Sequence, residues 1–101
     1  MEIKGLLTIA SKNATEKGFH NYNIDYEMLD KIKCLLLIHS EISEAVEALR
    51  EGNQEMFYEE LADVFIRLAD LCGTYNIDIE YEIKRKMEIN KNRPHLHNKR
   101  F

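Results

Sequence analysis

Only Glu51, Gly52 and Asn53 separate two long stretches, about 26–50 and 54–72, in each of which apolar side chains recur at helical period. A connection that short makes the two helices antiparallel neighbours, packed apolar face to apolar face. On a helical wheel at about 100° per residue, Cys34, Leu35, Leu37, Ile38, Ile42, Ala45, Val46, Ala48 and Leu49 fill one arc of the first stretch. Ser40, Ser43, Glu47 and Arg50 lie opposite. In the second, Phe57, Leu61, Val64, Phe65, Leu68, Leu71 and Cys72 form the arc, and Glu59 turns outward.

Acids intrude on both arcs. Glu41 points into the first and Glu44 lies at its edge; Glu60 sits at the rim of the second, with Asp63 beyond it. Each pair is spaced i, i+3, which sets its carboxylates about 60° apart on one helix face. With 18 acidic residues in 101, such spacings arise by chance, so position is the informative feature. A carboxylate on an apolar face is costly unless it is paired or binds a cation. Four of them from two packed helices call for a divalent metal, and an all-oxygen ligand set favours Mg²⁺ or Mn²⁺.

The flanking segments extend the helical pattern. Ile3, Leu6, Leu7, Ile9, Ala10 and Ala14 predict a first helix from Met1 to about Lys17, ending at Gly18. Residues 19–25 (FHNYNID) read as a loop, with Asp25 capping the second helix. Gly52 and Asn53 supply the end of one helix and the N-cap of the next. Gly73 is the expected end of the third helix. Asp78 is the expected N-cap of a fourth, about 79–92, and Pro94 prevents its continuation. No strand is expected. The fold class is all-α: one domain spanning 1–101, a bundle of about four helices with a mobile tail from 94 to 101. So short a chain buries a modest core, so self-association is expected, a homodimer by default.

Composition excludes several functions. A net charge of −4 argues against nucleic-acid binding by the whole molecule. No apolar run is long enough to cross a membrane, and no signal-peptide pattern opens the chain, so the expected location is cytoplasmic. Cys34 and Cys72 both fall on apolar arcs and read as small buried hydrophobes.

A second constellation lies on the fourth helix, where Lys86, Asn90 and Arg93 follow one another at i, i+4 and i+7. Two cations and an amide along one side suit a polyphosphate, since arginine can bond two oxygens at once. The plain alternative is a solvated face leading into a basic tail.

Together, HSEISEAVEAL, then EELADVFIRLADL from Glu59, then KMEINKNRPHLHNKRF resemble the MazG-like nucleoside triphosphate pyrophosphohydrolases. These are marked by ExxE, a spacer and ExxD, with a later Lys, Asn and Arg. The resemblance covers 31–101. It implies an all-α enzyme that hydrolyses nucleoside triphosphates, standard or non-standard, to the monophosphate and pyrophosphate. Glu41, Glu44, Glu60 and Asp63 would then hold Mg²⁺ (or Mn²⁺), and Lys86, Asn90 and Arg93 would meet the phosphates. Glu41 and Glu44 would be the catalytic acids, Glu44 the candidate for activating water. His39 would touch the base or sugar, where spacing alone makes it a histidine packed at a seam. The resemblance also implies dimers or tetramers with sites at bundle interfaces.

Other residues take plainer readings. Asp70, on nearly the same face as Asp63, is read as pairing with Arg67 at i, i+3 in preference to supporting the metal ligands from behind. Glu47 is solvated, as are His95 and His97, which lack a third ligand. Phe19, Tyr22 and Tyr26 pack the loop onto the bundle. Two alternatives accompany the enzyme reading. One is the related phosphoribosyl-ATP pyrophosphatase activity; the other is a non-catalytic helical dimer that binds nucleotide or a protein partner.

Overall fold

The structure, a computed structural model, describes residues 1–20 and 26–94. It holds four helices in chain order: α1 (Ile3–Glu16), α2 (Glu27–Arg50), α3 (Gln54–Thr74) and α4 (Ile79–Lys91). No strand occurs among the described residues. The expected Asp25 cap, Tyr22, His95, His97 and all but the first residue of the tail (94–101) lie outside the described residues. The fold is all-α, and α3 is its centre, packed against α2 on one side and α1 on another.

The α2–α3 turn is built as its residues require. Gly52 takes the left-handed conformation (φ 71°), which only glycine adopts without a Cβ penalty. Its N–H reaches the Leu49 carbonyl at 3.1 Å and that of Asn53 reaches Ala48 at 2.9 Å, closing a Schellman motif. Asn53 then caps α3, its side chain accepting from the Met56 N–H at 3.0 Å. Asp78 caps α4 in the same way, from Tyr81 at 3.1 Å.

Gly73 has a different role from the expected one. α3 runs past it to Thr74, and the left-handed residue that ends the helix is Asn76 (φ 54°), with the Ile77 N–H bonded to Cys72 at 2.9 Å. Gly73 is instead where α1 crosses α3. A Cβ there would lie 2.4 Å from the Leu7 carbonyl oxygen and 3.1 Å from the Ser11 Cβ. Glycine is required by proximity, not by backbone conformation.

The core is made of small side chains. Ala10, Cys34, Ile38, Ala45, Ala48, Ala69, Leu71 and Cys72 are its buried apolar members. Both cysteines are free and buried, as expected, and burial raises both thiol pKa values. The broad arcs expected on α2 and α3 divide in two. Leu35, Ile42, Val46 and Leu49 are exposed along α2, as are Leu61, Phe65 and Leu68 along α3, Phe65 at 66 %. α4 buries no residue and shares no extensive interface with another helix. The accessible surface is 8217 Å², against about 5,900 Å² for a compact monomer of this mass.

What joins α1, α2 and α3 besides apolar contact is a buried ionic cluster around His20. Its Nδ1 donates to Asp30 on α2 at 2.7 Å and its Nε2 to Asp70 on α3 at 2.7 Å, with the ring only 1 % exposed. Two carboxylate acceptors on one ring require both nitrogens to carry protons, so the ring is an imidazolium. Burial opposes that charge, but the bonds to Asp30 and Asp70 outweigh it and raise the His20 pKa above its ordinary 6.5. Asp30 also accepts from the Tyr75 hydroxyl and pairs with Lys33 at 3.3 Å. Burial works against its ionisation, yet these partners hold its pKa below the ordinary 3.8. Asp70 accepts from Thr74 at 3.0 Å as well. The expected Asp70–Arg67 pair does not form: a buried cation from the α1–α2 connection takes Asp70, and Arg67 goes elsewhere.

Two predictions concern stability. Gly73→Ala should lose about 1–3 kcal/mol in urea unfolding, because a backbone oxygen cannot give way. Gly5→Ala, with nothing within 4 Å of the new Cβ, should gain up to about 1 kcal/mol. Equal effects at both positions would contradict the close-approach assignment. For the ionic cluster, a raised histidine pKa adds stability that is complete below pH 6.5 and fades as pH climbs through the folded value. The lowered Asp30 pKa adds stability above pH 3.8 that fades as pH falls through the folded value. His20→Gln should therefore lose about 3 kcal/mol near pH 6 and distinctly less near pH 9. A loss independent of pH would refute the imidazolium.

Candidate metal centre

α2 and α3 run antiparallel from the Gly52 turn, so residues at matching distances from it face each other. Glu41 on α2 meets Glu60 and Asp63 on α3, and one carboxylate oxygen from each lies within 4.8 Å of the others. Three of the four acids expected from sequence thus form one cluster. Glu44, one turn nearer the turn along α2, is exposed, yet close enough for its hydrogen bond and charge to act on Glu60.

The cluster is electrostatically strained. Glu60 is pushed up to about 7, first by its bond with Glu41, then by burial and by Glu44. Glu41 moves the other way: the bond with Glu60 lowers its pKa most, and Arg67 helps against the cost of burial. One proton shared between them belongs to Glu60. Glu60 Oε2 is enclosed, with no hydrogen-bond donor among the described residues. A buried carboxylate oxygen without a donor, in a set of oxygen ligands, fits a hard divalent cation. Glu41, Glu60 and Asp63 could hold it, with Glu44 at the margin.

Arg67 is the residue that sequence reasoning misplaced. Its Nε and Nη2 both reach Glu41 Oε1 at 3.1 Å, and its guanidinium lies 5.6 Å from the Phe19 ring centroid. A signal existed: Arg67 follows Asp63 by four and Glu60 by seven, so it lies on their stripe of α3. The reading that paired it with Asp70 considered one helix only. Arg67 and Asp63 also line a cleft of about 240 Å³ between α1 and α3, with Asn13, Lys17, Phe19 and Asp70 around it.

The α4 residues are placed differently. Lys86 and Arg93 are exposed and Asn90 half-buried, its Oδ1 enclosed without a donor among the described residues. No ion pair or hydrogen bond links Lys86 or the Asn90 side chain to the acids. His39 is exposed on α2; a single chain gives it no seam to pack into.

Among the described residues, no helix is long and apolar enough to cross a membrane. Comparison with curated proteins and with solved structures returns no significant match. A family model described as MazG-like family matches residues 22–100, which contain all four acids and the α4 constellation, and the chain belongs to that family.

Proposed function

We propose that this chain is a Mg²⁺- or Mn²⁺-dependent hydrolase that splits nucleoside triphosphates into the monophosphate and pyrophosphate, serving to clear nucleotides from the pool. The observation that carries the reading is the convergence of Glu41, Glu60 and Asp63, with the enclosed Glu60 oxygen lacking a donor among the described residues. Membership of the MazG-like family supports a pyrophosphatase-type activity.

A bound divalent cation would screen the triphosphate and polarise its α-phosphoryl group. Everything else falls to the chain. Glu41, Glu60 and Asp63 would hold the cation, and Glu60 would give up its proton on taking that role. Glu44, exposed at the margin, accepts the proton of the attacking water. The water oxygen bonds to the α-phosphorus, the bond to the α–β bridging oxygen breaks, and pyrophosphate leaves. Lys86, Asn90 and Arg93 hold phosphate oxygens and His39 the base or sugar.

Assembly belongs to the same proposal. The excess of apolar surface on α2, α3 and α4 is covered by further copies of the chain, as a homodimer or homotetramer, which also carries an α4 to a carboxylate cluster. Sedimentation should give at least twice the 11.9 kDa of the chain, and Val46→Glu with Leu49→Glu should lower it. A wild-type monomer would refute the assembly.

The activity is tested by pyrophosphate release from a panel of standard and modified NTPs and dNTPs, with phosphoribosyl-ATP included, in Mg²⁺, Mn²⁺ and EDTA. Release should require the metal and fall at least about a hundredfold in Glu41→Gln. Preference for phosphoribosyl-ATP would move the assignment to that related activity. No release from a folded protein that still binds metal would leave a non-catalytic binding module.

A further inference from the structure

The cation at the carboxylate cluster is Arg67, and the way it is held points to a second task. Its Nε and Nη2 converge on one oxygen of Glu41, while its Nη1 makes no hydrogen bond among the described residues. Side-chain exposure is 29 % for Arg67 and 13 % for Glu41. The pair is therefore partly shielded, yet Arg67 opens onto the cleft between α1 and α3. In that cleft, among the described residues, Lys17 forms no ion pair and the Asn13 amide no hydrogen bond, while Asp63 of the acid cluster forms one edge. Asp70 also lines the cavity but is taken up by His20, which leaves two cations and an amide beside the carboxylate cluster, a set that suits an anion arriving with a metal.

Charge bookkeeping gives the order of events. Without a divalent cation, Arg67 is the counter-ion of Glu41 and relieves the repulsion among the acids. A cation of charge +2 on the same carboxylate makes that service redundant and repels the guanidinium. The released guanidinium keeps its place 5.6 Å from the Phe19 ring centroid, and gains a hydrogen-bonding partner when an anion enters the cleft.

We propose that Arg67 is a phosphate-binding residue that Glu41 holds until a divalent cation binds, whereupon it passes to the polyphosphate in the α1–α3 cleft with Lys17 and Asn13. This rests on the pyrophosphohydrolase reading and adds to it an exchange of partners by one arginine. Substrate and metal then bind cooperatively, because the metal frees the cation that the substrate needs.

The test separates this role from simple support of Glu41. Mn²⁺ binding without nucleotide is followed by electron paramagnetic resonance, and inorganic tripolyphosphate binding with Mg²⁺ present by calorimetry. Both are measured on wild type, Arg67→Gln and Arg67→Lys. Removing a competing cation should tighten Mn²⁺ binding about three- to tenfold in Arg67→Gln. The same variant should bind tripolyphosphate at least about tenfold more weakly. Arg67→Lys, which keeps the charge but not the fork, should leave Mn²⁺ binding near wild type and weaken tripolyphosphate binding by less. It also serves if Arg67→Gln fails to fold. Changes of the same sign in both ligands, or no change in tripolyphosphate binding, would overturn the inference while wild-type pyrophosphate release upholds the underlying activity. A wild type that binds no Mn²⁺ and releases no pyrophosphate would overturn both.

Discussion

Repulsion among like charges at the seam of a two-helix hairpin is the constraint on which the rest depends. Glu41, Glu60 and Asp63 bring carboxylate oxygens within 4.8 Å of one another, with Glu44 near enough to act on Glu60. Asp63 is exposed, but Glu41 and Glu60 are partly shielded from solvent, and the chain reduces the charge between them in two ways. Glu60 keeps a proton near neutrality, and Arg67 crosses from α3 to Glu41 on α2. Both are the responses expected of like charges held close together. A second buried ionic cluster ties the same two helices together away from the acids.

That tie is His20. The apolar core consists mostly of alanines and cysteines, with Ile38 and Leu71 its larger members, and it buries little area. The imidazolium between Asp30 and Asp70 links the connection after α1 to both helices of the hairpin. Replacing water around three charges is costly, so such a cluster persists only when each charge is satisfied. Tyr75 and Thr74 add hydrogen bonds, and the buried Asp30 Oδ1, without a hydrogen bond among the described residues, has the Lys33 ion pair. With the close approach of α1 at Gly73, this protonated ring helps set the position of α1 and hence the α1–α3 cleft beside Asp63.

α4 follows a different logic. It is well capped by Asp78 but presents Tyr81, Ile83 and Met87 to solvent. A helix with an exposed apolar face is normally one that another element covers. Its Lys86, Asn90 and Arg93 thus belong to an assembled site in the proposed function, whereas Arg67 is a cation that every single chain already places at the carboxylates.

Much of this was legible in the residues. Four helices, the hairpin through Gly52 and Asn53, the caps at Asn53 and Asp78 and the convergence of Glu41, Glu60 and Asp63 all follow from local signals: period, turn chemistry and i, i+3 spacing. Those signals act within a few residues, which is why they can be read along a chain. Gly73, Arg67, Asp70 and His20 were not legible, for one shared reason. Gly73 is set by the Leu7 carbonyl 66 positions earlier, His20 by Asp70 across 50, and Arg67 by Glu41 across 26. The sequence by itself determined which helices form and which acids share a face, because both depend on local geometry. The tertiary structure alone decided which charge meets which, because partners distant in the chain are chosen by how the helices cross and by which ions can be buried together.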